Sequence, residues 1–588
     1  MFGKRGDQME RVEKDLWESN KFLRLCKHIV YVLFAVLVLY MFLASMVSTC
    51  VMVYTDEHTF YLKDYALAIS AGLVCFMFLL VFLQKKVKPK ESNVKILLAV
   101  CTAIWFAVLI AIVYFTKLPS VYDQQQVYAG AAQLLRGDYS GWKPYNYFYA
   151  YPYINGMVFM ECPFLWLFGE DRAYIAMQYI NILYWYMALL AISEMAKLYF
   201  GKKAGRLTYL ALLGFIPMWF YVTFVYGTLP GLCFSTLALL SEKKYEDTEK
   251  WGYMAGSLIC IFFGVAWKSN YQIFLIALMI LLFWDGIRKR KWQSFAGAAV
   301  LFLMLCFELT AISALMHRIT GEPVDGGTPT IAWVAMGLQE SSIAPGWYNS
   351  YTEIIPVECN HDVEAMKAAS WQNLKDTLTL FAKEPEYCLR FFSRKLASMW
   401  NNPAFQCFTE VTKCNTTGGL SYWMKDLLYD GGVKNAVLRV ILDLMHSVTL
   451  FGMVLHVILN RKKQKLADTA LIITFLGGFF FHVVWEAMGQ YAVPYYVLLM
   501  PYAVQGYLTV AEKAAVLQFD LGWKETGRQL WKSGSFRLGL LLAAVIMFIT
   551  FSDFNWLTSS IKLQGEESDY IWYCTNETQW KEADYKKI

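Results

Sequence analysis

The sequence predicts an all-α polytopic membrane protein, and three observations carry that prediction. The 588 residues are 57% hydrophobic and only 17% charged, against about 25% charge in a soluble protein. The apolar residues fall in blocks near the roughly 20 residues a bilayer-crossing helix needs, not in the alternation of strands. Lys- and Arg-rich runs separate these blocks in a regular, alternating way.

Taken in order, residues 1–28 are polar and mixed in charge and read as a cytoplasmic tail. The apolar run that follows is too long for the hydrophobic region of a cleaved signal. Three candidate spans fill residues 29–116: Ile29–Tyr54, Tyr65–Leu83 and Ile96–Thr116. Residues 173–316 hold Tyr174–Phe200, Leu207–Tyr226, Phe295–Met316 and the shorter Thr228–Leu240, Gly252–Trp267 and Tyr271–Trp284. Residues 435–556 hold Val437–Leu459, Ala470–Ala487, Tyr491–Ala511 and Leu538–Phe554, and a tail runs over 557–588. The total is about thirteen spans.

Orientation follows from the basic runs QKKVKPK (84–90), GKKAGR (201–206), IRKRK (287–291) and NRKKQK (460–465). All fall on one side if the N-terminus is cytoplasmic, which places the C-terminal tail outside. The net charge of +6 sits in these flanking loops, so nucleic acid is not an expected partner; membrane lipids are.

Two segments between spans are large, residues 117–172 and 317–434, and both are expected on the external face. The second is long enough for a small domain. Its stretch Asp362–Asn401 spaces apolar residues three and four apart, as a helix does. Pro385 is expected to open a second helix there. Cys359, Cys388, Cys407 and Cys414 share this segment; they are either unpaired thiols or up to two disulfides with three possible pairings. Asn415 and Asn576 match the N-glycosylation pattern. No spacing of Cys or His indicates a metal site.

The residues able to carry chemistry concentrate near the external face. In PSVYDQQQVYAGAAQLLRGDYSGW (119–142), Asp123 precedes Tyr128, Ala132 and Leu135 at helical spacing, with Gly137 as C-cap. Asp123 is read either as the N-cap of this helix or as an acid placed at the bilayer edge for a reaction. Tyr145–Gly169 is aromatic, then apolar, and contains Tyr151 and Glu161. It is read as an interfacial belt or as a cleft lining in which Glu161 faces a polar cavity. Lys268 closes an apolar block just before Asn270, and Arg318 follows another; each either snorkels to the interface or meets a lipid phosphate. Glu308 lies mid-span and calls for burial or a partner on a neighbouring helix. His482 and Glu486, four apart, share a helix face if the helix runs through both. Trp347 and Tyr348 are either a sugar-stacking platform or loop core.

These pieces occur in an order that resembles a known family. A span is followed by an outside loop with Asp123, by Tyr-x3-Ala at 128–132, by Leu-Leu-x-Gly at 134–137, by aromatic-Tyr-Pro at 149–152, and by Leu-Phe-Gly at 167–169 with Arg172 opening the next span. This is similar to the first external loop of the GT-C membrane glycosyltransferases, nearest to protein O-mannosyltransferases and the lipid A aminoarabinose transferase. Tyr226-Gly-Thr-Leu-Pro230 resembles a short external turn of those enzymes. Glu486-x3-Gln490-Tyr491-x2-Pro494 resembles their E-x3-R-Y-x2-P element. The resemblance covers roughly residues 96–320 and 470–510.

The resemblance implies sugar transfer, usually with inversion, from a polyprenyl-phosphate donor to a glycan, lipid or protein acceptor on the outer face of the membrane; the lysine-rich inner loops and weak sequons favour a bacterial cell membrane over an endoplasmic reticulum. Asp123 then maps onto the family's loop acid, as general base or acceptor activator. Lys268, Arg318, His482, Glu486, Gln490 and Tyr491 become candidates for the donor phosphate, and Gln124, Tyr128, Tyr151, Glu161 and Asn270 for the acceptor or pocket lining. A divalent metal is compatible but nothing indicates one. The chain departs from the pattern in three ways. Gln124 stands where many relatives have a second acid, Gln490 stands where they often have Arg, and two spans precede the usual first. A transporter or flippase of lipid-linked sugars, and a surface-polysaccharide polymerase or ligase, are the alternatives. Transporters commonly show internal repeats and midplane ionisable groups, and no repeat is visible here.

Overall fold

The computed structural model describes residues 20–53, 58–86, 90–323, 327–408, 411–412, 420–461, 463–516, 531–552 and 556–576. Cys414, Asn415, residues 1–19 and residues 577–588 lie outside the described residues, as does the side chain of Asn576.

Helix α1 (Lys21–Val47) starts where the Asn20 side chain accepts from the Phe22 and Leu23 amides at 2.9 and 3.3 Å. Its buried face is Leu23, Val30, Phe34, Val38 and Met41. It stops short of the expected Tyr54, because the chain turns into strand β1 (Ser48–Val53), paired antiparallel with β2 (His58–Lys63). This hairpin is the departure from an all-α chain. Its register runs from Ser48↔Lys63 to Val53↔His58.

The helices α2 (Ala66–Lys86) and α3 (Glu91–Thr116) follow. Only 17% of their most apolar windows is buried inside the protein. Apolar helix surface this extensive and this exposed is what a lipid-facing helix presents. Then come α4 (Tyr122–Arg136), α5 (Asn155–Phe168), α6 (Glu170–Phe200) and α7 (Lys202–Leu213).

The expected continuous span Leu207–Tyr226 does not form. α7 ends before Gly214, one helical turn follows at Pro217–Tyr221, and α8 (Thr228–Thr248) begins after Gly227. Pro217 has no N–H to carry the helix through. The loosened backbone is satisfied from inside the bundle, where Asn181 of α6 donates to the Val222 and Phe224 carbonyls at 3.1 and 3.2 Å.

α9 (Trp251–Trp267), α10 (Gln272–Lys289) and α11 (Trp292–Thr320) complete the first half. Glu308 is buried in α11, but neither carboxyl oxygen has a hydrogen-bond partner among the described residues, so it makes no bond to a neighbouring helix there. At their far ends α8 and α10 each carry a buried ion pair, Lys243–Glu246 at 2.8 Å and Arg288–Asp285 at 2.7 Å, and Arg288 reaches across to Glu246 at 3.2 Å.

The second large segment is helical: α12 (Thr330–Gly337), α13 (Tyr351–Glu358), α14 (Val363–Lys383), α15 (Pro385–Trp400) and α16 (Tyr422–Leu428). Pro385 stands in the first turn of α15, as the sequence predicts. Cys359, Cys388 and Cys407 are free thiols. Trp347 is core, not a platform: it is fully buried and its Nε1 donates to Ser398 Oγ at 2.7 Å. The β-hairpin docks on α15, with Asn401 Nδ2 donating to the Ser48 carbonyl at 2.7 Å and the Tyr61 hydroxyl to the Arg394 carbonyl at 2.9 Å.

The last helices are α17 (Val433–Asn460), α18 (Ala470–Val484), α19 (Gly489–Val497), α20 (Met500–Val516), α21 (Gly534–Phe551), α22 (Trp556–Lys562) and α23 (Glu567–Asn576). The expected span Tyr491–Ala511 is split between α19 and α20, where Pro501 cannot donate to the helical ladder. Among the described residues eight helical stretches are long and apolar enough to cross a membrane, and α9 and α18 are shorter apolar helices. The starts of α4, α8, α10 and α19 and the ends of α9 and α18 gather at one end of the bundle.

Candidate functional site

Asp123 does not cap its helix. The N-cap is Val121, and Asp123 sits inside the first turn of α4. Gly137, in the left-handed region at φ 73°, closes the helix as expected. The residue before the acid, Tyr122, also has positive φ, 50°, a conformation unfavourable for a residue with a β-carbon and concentrated at functional sites.

The Asp123 carboxylate is exposed yet held at both oxygens. Oδ1 accepts from the Tyr147 hydroxyl at 2.9 Å and Oδ2 from the Tyr226 hydroxyl at 3.4 Å. Burial, and then the charge on Asp123, push the Tyr147 phenol well above its ordinary pKa, so it remains a donor. Gln124 is not a pocket residue. It is buried, and its Oε1 accepts from the Tyr174 hydroxyl at 2.7 Å and the Val225 amide at 2.9 Å. It thereby ties α4 to α6 and to the backbone just ahead of Tyr226.

The turn at Tyr226-Gly-Thr presses against the end of α9. Gly227 has φ 69°, and a β-carbon there would lie 2.3 Å from the Trp267 carbonyl oxygen, so only glycine fits. This approach brings Lys268 under the same tyrosine. Lys268 Nζ lies 4.6 Å from the centre of the Tyr226 ring and 5.5 Å from that of Tyr491. It donates to Thr228 Oγ1 and Gln490 Oε1, both at 3.1 Å. Tyr226 therefore stands between carboxylate and ammonium, its hydroxyl on one and its ring face on the other.

Beyond Gln490 the chain of contacts continues. The Tyr491 hydroxyl donates to Glu486 Oε2 at 3.5 Å, and the Tyr491 ring stacks on His482 with centroids 5.1 Å apart. His482 and Glu486 do not share a helix face. α18 ends at Val484, Glu486 lies in the turn beyond it, and His482 Nδ1 is 3.2 Å from the Glu486 backbone carbonyl, not its carboxyl. Burial first, and then the Asp123 charge, push the Glu486 carboxyl up to about 8, against the pull of Tyr491, Lys395 and Lys268.

Lys395 fixes this turn. It is buried on α15, and its Nζ donates to the carbonyls of Gly337, Val483 and Trp485. Burial drives its pKa down to about 7, and Glu486 opposes that shift. An aromatic run joins the same turn to the first large segment: Tyr151–Trp333 centroids are 5.9 Å apart and Trp333–Trp485 6.3 Å.

So Asp123, Lys268, His482, Glu486, Gln490 and Tyr491 form one connected cluster, with Tyr151 at its edge. Four other sequence candidates do not join it. Glu161 is fully buried in α5 with neither carboxyl oxygen hydrogen-bonded among the described residues, and burial pushes its carboxyl well above the usual carboxylate range. Tyr128 donates to the Glu170 carbonyl and packs on Tyr174 at 5.5 Å, fastening α4 to α6. Arg318 is exposed in the last turn of α11, away from these contacts. Asn270 follows Lys268, but its carbonyl accepts from Tyr495 at 3.4 Å and its Nδ2 is buried without a partner among the described residues.

Tyr147, Tyr226, Thr228 and Lys395 belong to the cluster and are not singled out by sequence. Tyr226 and Thr228 lie in a recognisable turn, which is a usable signal. Tyr147 is one tyrosine among several neighbours, and Lys395 is one charge on an amphipathic helix.

The chemistry available is a carboxylate oriented by two phenols, an ammonium among aromatic faces, and a neutral amide beside it. Among the described residues no three His, Cys, Asp or Glu side chains gather as metal ligands. No protein-family model, curated protein or solved structure matches the chain.

Proposed function

We propose that this protein is a membrane glycosyltransferase of GT-C type, moving a sugar from a polyprenyl-phosphate donor to an acceptor hydroxyl at the outer face of the membrane. The observation that supports this most is the placing of Asp123 and Lys268 on opposite aspects of Tyr226. Transfer of this kind needs a base on one side of the anomeric carbon and a stabilised leaving phosphate on the other.

The acceptor hydroxyl gives its proton to Asp123 as its oxygen attacks the anomeric carbon. The bond from that carbon to the phosphate oxygen breaks, and the electron pair leaves with the lipid phosphate. Lys268 and the Gln490 amide stabilise the charge that develops there. Tyr147 and Tyr226 orient the carboxylate. Attack from the face opposite the leaving phosphate inverts the anomeric centre. Gln490 in place of the family's Arg leaves Lys268 as the nearby cation, and the exposed apolar helices keep the carrier's hydrocarbon tail in the bilayer beside the site.

The test is transfer of labelled sugar by the protein in liposomes supplied with either polyprenyl-phosphate sugars or water-soluble nucleotide sugars. Transfer only from the lipid-linked donors, reduced in Lys268→Met, is the expected result. Transfer from nucleotide sugars alone, or flipping of donor without transfer, contradicts the proposal.

A further inference from the structure

A cavity of about 600 Å³ opens between the first and second large segments, within the roughly 300–1,000 Å³ range of small-molecule sites. Resting on the glycosyltransferase reading, we infer that this cavity is the acceptor site and that the acceptor is an uncharged saccharide chain.

Position is the first argument. Gln126, Gly130 and Gln133 line the cavity, and they lie three, seven and ten residues after Asp123 on α4, along the same helix face. Tyr147 is both a wall of the cavity and the donor to Asp123 Oδ1. A ligand hydroxyl at the Tyr147 end therefore lies one phenol hydroxyl away from the Asp123 carboxylate, which stands just outside the cavity wall.

Wall chemistry is the second. Gln126, Gln133, Asn146 and Thr352 offer amides and hydroxyls that both donate and accept, which suits a ligand made of hydroxyl groups. The rings of Tyr145, Tyr149 and Tyr151 offer flat apolar faces with polar tips, which suits the C–H faces of sugar rings. Apart from tyrosines, the only ionisable residues among the described lining are Glu353 and His361. No Lys or Arg is there to receive a phosphate or uronate, and Glu353 repels one. A lipid acceptor would instead call for continuous apolar walls.

Backbone strain is the third. Tyr145 (φ 73°) and His361 (φ 58°) both occupy the left-handed region, and their rings face each other with centroids 4.2 Å apart. Two non-glycine residues held this way on opposite segments form a strained clamp across the cavity, and such strain clusters at ligand sites.

The test measures binding with no donor present, so it is independent of catalysis. Full-length protein in lipid nanodiscs, free of sugar detergent, is titrated with malto-, cello- and manno-oligosaccharides and with oligogalacturonates. Neutral oligosaccharides are expected to bind wild type, Tyr145→Phe and the surface control Arg318→Ala alike. Binding is expected to weaken about tenfold in Tyr145→Ala and in Gln126→Ala, the second guarding against misfolding of the first. Preference for the acidic oligosaccharides, absence of binding by any neutral one, or unchanged binding in both alanine variants overturns the inference. Binding that follows this pattern without any sugar transfer sinks the transferase reading and leaves the saccharide site standing.

Discussion

Replacing Gln124 by Leu tests whether Asp123, the proposed base, is held in place by a buried amide. Leu keeps most of the volume and removes the acceptor shared by the Tyr174 hydroxyl (2.7 Å) and the Val225 amide (2.9 Å). A buried donor left unsatisfied costs about 1–3 kcal/mol. The Val225 amide cannot turn away and bears the larger share, while the Tyr174 hydroxyl can rotate and contributes about 1 kcal/mol. The expected destabilisation is therefore about 2–4 kcal/mol. Gln124→Glu keeps an acceptor oxygen and should cost less than Leu. The assay is reversible unfolding in mixed micelles followed by tryptophan fluorescence, on wild type, Gln124→Leu, Tyr174→Phe and the double variant. Because Tyr174→Phe removes one of the stranded donors, the double variant should be about 1 kcal/mol more stable than the sum of the singles implies. A Gln124→Leu protein within about 0.5 kcal/mol of wild type, or strictly additive variants, refutes the reasoning.

Three other outcomes follow from the same contacts. Tyr147→Phe deletes a hydrogen bond to a charged acceptor, worth about 1.5–3 kcal/mol; transfer rate should fall roughly tenfold or more while the fold stays intact by near-ultraviolet circular dichroism. Gly130→Ala places a β-carbon 2.2 Å from Phe148 Cζ, on a buried ring stacked against Trp142 at 4.5 Å. Overpacking costs about 1–3 kcal/mol and helix propensity returns at most about 1, so thermal unfolding should shift downward. Glu486 has its pKa raised from 4.5 to about 8 in the fold, so its contribution to stability is full below pH 4.5 and lost as pH rises through 8. The stability difference between wild type and Glu486→Gln should change across that window and be flat outside it; a difference flat throughout contradicts the burial argument.

Hydropathy alone made the membrane class legible, and composition located most helices. It could not see where apolar chain ceases to be helix. Ser48–Val53 continues the apolar run of α1 without a break in hydropathy, yet its Thr and Val residues pair as a strand once β2 lies alongside. Pro217 and Pro501 interrupt apolar runs that length and composition count as spans.

In the site, the ordered motifs singled out Asp123, Lys268, Glu486, Gln490 and Tyr491 from three distant parts of the sequence, and the fold links them through direct contacts and the Tyr226 ring. The errors came from residues whose meaning is tertiary. Gln124 and Tyr128 sit one and five places from the acid yet face α6 and its neighbours, because a helix sends successive side chains in different directions. His482 and Glu486 are four apart, but the helix ends between them. Lys395 is invisible in sequence, since nothing local distinguishes a lysine that ends in solvent from one that ends on three carbonyls.

Asp123 is proposed as the base of a sugar transfer from a lipid-linked donor. The direct measurement is the rate of labelled-sugar transfer from a panel of polyprenyl-phosphate donors in reconstituted membranes, for wild type and Asp123→Asn. Asn keeps the size and a hydrogen-bonding oxygen and removes the charge, so the rate should fall about 10²–10⁴-fold with the protein still folded. A folded Asp123→Asn protein that transfers sugar as fast as wild type contradicts the account.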